Sequence, residues 1–372
     1  MTRRPVVHQF TAVLAGRDAV GQHTLAVDDL LREMGADTEI FAAHVHPEVR
    51  DRGRDFRDHA SGPAPDLIIY QASTGSPVAD YVMARPETLV LNYHNMTPAE
   101  FFDPWEPAVA AELDHGRRQL ARLARRADHA IAVSRYNADE LLALGMTPSS
   151  VSVSPVLFVP LWESVDRGGG VGGEKVWGSD PRTFSVMLLF VGRLSPNKCQ
   201  QDLVGVLAGV VALGVDAGLV LVGGVSSSGF VDAVVGLAEG LGLGDRVVVA
   251  GSVSEAELVG FYEAADVFVS VSEHEGFCVP VVEALGFGVP VVAFGAAAVP
   301  ETLGGAGLVV GGDGGEKSLG VVAEAVVRVL SDPVVREGLV VRGRVRAREL
   351  GLVASRVSMR AVLQPLLDGI DP

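Results

Sequence analysis

Along this chain short apolar runs rich in Val, Ile and Leu alternate with polar or glycine-containing turns and with longer stretches of helical periodicity. The runs that read as strands are Val6–Phe10, Thr38–Ala42, Leu67–Tyr70, Thr88–Tyr93, His129–Val133 and Val151–Val153 in the first half. In the second they are Val186–Val191, Gly218–Val222, Arg246–Ala250, Val267–Val271 and Val289–Ala293. Helical stretches follow at Thr24–Met34, Pro107–Ala127, Gln201–Leu213, Val281–Leu285 and Val353–Leu367. Strands alternating with helices predict parallel sheets of the doubly wound α/β type. The glycine-rich segment 166–182 is too poor in large side chains to pack a core, so it reads as a linker or loop between two such blocks. The expected division is 1–165, the segment 166–182, a second block 183–352, and a terminal helix in 353–372.

With 372 residues, 48% hydrophobic and 20% charged, the chain is long enough for two ordinary cores. The net charge of −16 argues against nucleic acid, which demands a basic surface. A local basic cluster, Arg117, Arg118, Arg122, Arg125 and Arg126, spreads over more than one side of its helix. It reads as a solvated face, with transient contact to acidic lipid as the other possibility. The two cysteines, Cys199 and Cys278, have no metal-ligand spacing and fit free thiols in a reducing cytoplasm. No signal peptide or membrane-spanning run is seen, so a cytosolic protein is expected. Val and Gly at helical positions of the second block lower helix propensity, which predicts a marginally stable second domain.

The chemistry concentrates in that block. After the apolar run ending at Val191, a turn carries Arg193 and Lys198 before the next helix. Two cations at the carboxyl end of a strand suit the two phosphates of a nucleoside diphosphate, against the alternative of solvated loop charges. Further on, Glu275 and Glu283 stand either side of Gly276, Phe277, Cys278 and Pro280. Gly276 permits a turn and Pro280 is tolerated in the first turn of a helix. Free N–H groups at the helix start suit an anion, and nearby carboxylates suit sugar hydroxyls. The alternative is a surface helix with ordinary acidic residues.

Together these runs resemble the family 4 retaining glycosyltransferases, whose fold is called GT-B: two Rossmann-like doubly wound parallel-sheet domains facing across a cleft. The resemblance covers nearly the whole chain and departs at Cys199, where the family usually has Gly and slightly altered loop geometry is expected. It implies transfer of a sugar, a hexosyl group in type, from a nucleoside-diphosphate sugar to an acceptor hydroxyl, as in polysaccharide biosynthesis. By the same resemblance Arg193 and Lys198 hold the diphosphate, Glu275 the donor sugar, Glu283 the ribose, and backbone around Gly251 and Val253 the base. Gly276, Phe277 and Cys278 line the donor site, and the terminal helix crosses back onto the first domain. Retention is likewise a family implication. The sequence shows no carboxylate placed as a covalent nucleophile, which favours front-face attack. The absence of an Asp-X-Asp triplet fits catalysis without a metal, and His44 with His46 lacks a third ligand.

In the first block His94 ends a strand where family members place a histidine beside the donor sugar. Gly16 and Gly21 resemble the family's first loop near the donor phosphates, equally well explained as a plain strand-to-helix turn. Arg17, Asp18, Ser134 and Arg135 are weaker acceptor-side candidates. Expected partners are a nucleotide-sugar donor and a glycan, lipid-linked or small-molecule acceptor, with no cofactor. A nucleotide-sugar epimerase or hydrolase on the same fold, or a catalytically silent binding subunit, are the alternatives. The base, sugar and acceptor are not written in the motifs.

Overall fold

The computed structural model describes residues 3–164, 184–312 and 317–370, so the segment 166–182 lies outside the described residues. The chain divides into two compact units. The first comprises Met1–Asp103, Pro107–Val159 and Leu350–Pro372, the second Pro104–Glu106 and Pro160–Glu349.

The first unit is built on strands β1 (Val6–Leu14), β2 (Asp37–Val45), β3 (Arg54–Asp55), β4 (Leu67–Ala72), β5 (Thr88–Tyr93), β6 (His129–Ala132) and β7 (Val151–Val153). They pair in the order β3-β2-β1-β4-β5-β6-β7, and all pairs are parallel. Helices α1 (Ala19–Glu33), α2 (Pro77–Met83), α3 (Pro107–Arg126) and α4 (Arg135–Ala143) connect them. Asp18, Ser76 and Ser134 cap α1, α2 and α4, their side chains accepting first-turn N–H groups. β3 escapes the sequence pattern because its two residues, Arg54 and Asp55, carry no apolar signal.

The second unit has its own parallel sheet of β8 (Val186–Val191), β9 (Ala217–Val222), β10 (Val247–Gly251), β11 (Val267–Ser270), β12 (Val291–Phe294) and β13 (Leu308–Val310), ordered β10-β9-β8-β11-β12-β13. Its helices are α5 (Leu161–Ser164), α6 (Gln200–Ala212), α7 (Ser228–Gly240), α8 (Glu255–Ala264), α9 (Val279–Phe287), α10 (Val299–Leu303), α11 (Leu319–Ser331) and α12 (Pro333–Glu349). Leu203, Leu207 and Val210 of α6, Phe230 and Val234 of α7, and Val322 and Val326 of α11 pack with Leu188, Leu219 and Val269 of the sheet. Two α6 glycines have a packing reason. A Cβ on Gly209 would come 2.7 Å from Ala323 Cβ, and one on Gly205 equally close to Leu319 Cδ1, so both let α11 approach closely.

The last helix, α13 (Leu352–Asp368), returns to the first unit. Strand side chains alternate between faces. On one face of that unit's sheet Ile68, Tyr70, Leu89 and Leu91 meet α2, α3 and α4. On the other, Val7, Ile69, Val90 and Ile131 meet Leu30 and Leu31 of α1 and Met359 and Leu363 of α13. An Arg356–Glu33 ion pair of 2.6 Å ties α13 to α1.

Candidate functional site

In each unit the strand order reverses once, between β1 and β4 in the first and between β8 and β11 in the second. Open α/β sheets bind ligands outside the carboxyl ends of the strands at such a point. The loops leaving β8 and β11 carry Arg193, Lys198 and Glu275. Lys198 Nζ lies 2.6 Å from Glu275 Oε2, and both side chains are largely buried. Arg193 is exposed, and its guanidinium makes no ion pair among the described residues. Lys198 is thus tethered to an acid, while Arg193 on the same loop is left to solvent.

The two loops are stitched together. Asn197 Nδ2 donates to the His274 carbonyl at 3.2 Å, the Glu273 N–H donates to the Asn197 carbonyl at 3.0 Å, and Ser195 Oγ donates to Asn197 Oδ1 at 2.9 Å. From the next loop the Ala298 N–H reaches the Glu275 carbonyl, and Thr302 Oγ1 donates to the Phe277 carbonyl. Phe277 and Cys278 are buried, so what this turn offers to solvent is mainly the backbone around half-buried Gly276. Cys199 and Cys278 precede α6 and α9 with φ of 54° and 71°, the left-handed region that glycine enters more readily. Cys199 therefore keeps the backbone that a glycine would supply, at a cost in strain. Burial pushes its thiol up to about 11, so it is inert at neutral pH.

Motif reading missed Lys317. Its ammonium sits 2.5 Å from Asp202 and 2.6 Å from Glu273, and it donates to the Val271 carbonyl at 3.4 Å. Burial alone would lower its pKa, but the two carboxylates raise it. Cys199, Asp202 and Glu273 place ligand atoms close enough for a metal ion, yet this lysine already answers their charge. No sequence spacing signals Lys317, because its partners lie on two other segments, α6 and the loop after β11.

Glu283, on α9, is buried, and both carboxylate oxygens lie 3.2 Å from the Leu161 N–H at the start of α5. Burial raises its pKa to about 8, against the pull of that hydrogen bond. Gly251 (φ 67°) ends β10 and Val253 follows it, and the Gly223 N–H donates to the Gly251 carbonyl at 2.8 Å. Gly223 has no freedom to change: with φ of 144°, its Cβ would stand 2.0 Å from the Gly192 carbonyl oxygen.

At the carboxyl edge of the first sheet, the loop after β1 is tied to Glu48, which accepts from the Gly16 N–H at 3.0 Å and pairs with exposed Arg17 at 3.8 Å. Gly21 is required because a Cβ there would overlap the Ala15 carbonyl. Asp18 and Ser134 serve as helix caps, and Arg135 opens α4 from an exposed position. His94 follows β5, half-buried, and burial lowers its pKa to about 3, so it is neutral. Next to it Asn95 has φ of 89° and is held by Asn137 Oδ1 at 2.8 Å. Of the five clustered arginines, Arg117, Arg118, Arg122 and Arg126 are engaged by acids or carbonyls within the unit. His46 faces Glu48 at 3.5 Å.

Residues 179–339, most of the second unit, match the family described as glycosyl transferases group 1. The two Rossmann-like parallel-sheet units are those of the GT-B glycosyltransferases. The fold is shared with the sucrose-phosphate synthase of Thermosynechococcus elongatus, at 18% identity and a TM-score of 0.76 over 98% of this chain and 100% of that one. The Anabaena protein HepE, solved in complex with UDP and glucose, is similar at 15% identity and a TM-score of 0.77 over 97% of this chain and 100% of that one. A glycosyltransferase from Rickettsia africae matches at 14% identity and a TM-score of 0.73 over 99% and 100%. No curated protein matches by sequence. Among the described residues no helix is long and apolar enough to cross a membrane.

Proposed function

We propose that the protein is a retaining glycosyltransferase that moves a hexosyl group from a nucleoside-diphosphate sugar to an acceptor hydroxyl in the cytoplasm, using protein cations rather than a metal. The observation that carries this reading is the Lys198–Glu275 pair at the β8/β11 reversal, with exposed Arg193 beside it on the same loop. As the bond from the anomeric carbon to the diphosphate breaks, negative charge grows on the departing oxygens, where Arg193 and Lys198 stabilise it. Glu275 orients the sugar through its hydroxyls. The acceptor oxygen bonds to the same face of the anomeric carbon, and its proton passes to the leaving phosphate oxygen. Glu283 holds the ribose, and the backbone at Gly251 and Val253 lines the base. His94 meets a sugar hydroxyl. Gly16 and Gly21 bring the first loop near phosphate, and Arg17, Asp18, Ser134 and Arg135 border the acceptor. The acceptor is a glycan, lipid-linked or small-molecule hydroxyl.

The test is thermal stabilisation of the purified chain by UDP, GDP, TDP and ADP, with UDP first because HepE was solved with it. A ligand at a hundredfold its dissociation constant stabilises by about 2.7 kcal/mol. A shift with one nucleotide that disappears in Lys198→Ala supports the reading, and no shift with any of the four overturns it.

A further inference from the structure

The first sheet contains a chain of side-chain amides that can run in only one direction. Gln9 on β1 places its amide 3.1 Å from the Thr24 carbonyl. A carbonyl oxygen only accepts, so Gln9 Nε2 must face it and Oε1 must face away. Gln71 on β4 meets Gln9 Oε1 at 2.8 Å, so Gln71 must donate through its own Nε2. The remaining Gln71 oxygen lies 2.7 Å from His94 Nε2, which must therefore carry the ring proton. Both glutamines are wholly buried, on strands packed between helices, so the amides are not free to solvate. With Nε2 protonated and the ring neutral, Nδ1 is a lone pair, and it makes no hydrogen bond among the described residues.

A second histidine is fixed in the same way. The His23 ring stands edge-on to His94 with centroids 4.7 Å apart. The Leu157 N–H donates to His23 Nδ1 at 2.9 Å, so His23 also carries its proton on Nε2. The Asn92 atom 2.7 Å from that Nε2 is then best taken as the carbonyl oxygen, which otherwise has no partner. His94 thus has a neutral, oriented neighbour.

We propose that Gln9 and Gln71 are positioning residues that hold His94 as the Nε2–H tautomer, so that its Nδ1 is offered as an acceptor and selects a substrate group that donates a hydrogen bond. Such a group is a sugar hydroxyl rather than a phosphate, a carboxylate or a deoxygenated carbon. Only the naming of that group rests on the glycosyltransferase reading; the tautomer does not. The same arrangement removes His94 as a general acid, because the only proton on its ring is held inward by Gln71.

Long-range proton–nitrogen correlation spectra of the full chain labelled in histidine with nitrogen-15 test this without any substrate, the His94 signals being assigned by their loss in His94→Gln. The expected result is a pyrrole-type Nε2 and a pyridine-type Nδ1 that stay unchanged from pH 5 to 9. A proton on Nδ1, or titration inside that range, overturns the proposal. Gln9→Met does not touch His94 but frees Gln71 to turn over, and an Nδ1–H population should appear. An unchanged His94 pattern in that folded variant also overturns it. In transfer assays with donors deoxygenated at each ring position in turn, Gln9→Met should lower kcat/KM by about fivefold to tenfold for the parent donor and leave the donor lacking the selected hydroxyl unaffected. Equal loss for every donor overturns the selectivity. The expected spectra with no transfer to any acceptor leave the tautomer standing and bring down the glycosyltransferase reading instead.

Discussion

The two units share a parallel, doubly wound plan but fill it differently. The first buries His8, Gln9, Thr11, Gln71 and Asn92 on its central strands and His23 and His59 close by. Eight of the nine histidines belong to it, all but His274. In the second unit Ser270 is the one polar residue on β8, β9, β11 and β12, and the charged groups stand in the loops and helices past the strand ends. One unit builds chemistry into a hydrogen-bonded layer inside the sheet. The other keeps an apolar slab and assembles chemistry at its edge, held by backbone contacts and the Lys317 ammonium. A buried polar layer needs every partner satisfied, whereas an edge site needs only that its loops be held.

Removing the edge charge should have the largest effect. Lys198→Ala is expected to reduce turnover by about a hundredfold to a thousandfold, the scale for losing one preorganised group that faces developing charge, with Arg193→Ala nearer the lower figure. Full transfer by Lys198→Ala would remove the leaving-group role.

The second contrast is pH. Burial, and then the neighbouring His59, lower His8 to about 4; burial lowers His94 to about 3 and His23 well below its ordinary value. The unfolded chain binds those protons more readily, so the first unit should lose stability as pH falls below about 6.5 toward these values. Glu283 behaves in the opposite sense. Its folded value of about 8 exceeds the ordinary carboxyl value, so the folded state holds the proton and the second unit should weaken as pH rises from about 4.5 to 8. Hydrogen exchange followed unit by unit across this range reads both limbs. Glu283→Gln should flatten the alkaline one, and weakening of both units in acid alone would break the comparison.

Smaller effects sort the glycines of the second unit. Gly209→Ala should destabilise by about 1–3 kcal/mol, through the contact its Cβ makes with Ala323. Gly236, in α7, meets nothing within 4 Å, so Gly236→Ala should stabilise by about 0.5–1 kcal/mol. Chemical denaturation of the two variants measures both. Equal gains would mean that the glycines merely lower helix propensity, as composition alone suggested.

Much of the fold was legible because strands in parallel sheets are covered on both faces and appear as unbroken apolar runs, as at Leu188–Val191. The short edge strand β3 was not, since Arg54 and Asp55 carry no such pattern, and β13, a run of only three residues, was also missed, although β7, just as short, was read. Among the candidate site residues, Lys198 and Glu275 stand out as charged groups in turns after apolar strand runs, and the family resemblance gave them their expected roles. Asn197, Thr302 and Lys317 could not, since each acts through a partner distant in the chain.

The sequence by itself determined the order of strands and helices, the acids and cations at the strand ends, and the glycines that their turns need, because those signals are local and periodic. Only the tertiary structure decided that Lys198 meets Glu275, that Lys317 answers Asp202 and Glu273, and that a backbone carbonyl on α1 sets the proton of His94 through two glutamines. Hydrogen-bond direction and charge pairing depend on which atoms stand within about 3 Å of each other, and that proximity exists only after the strands have been ordered side by side.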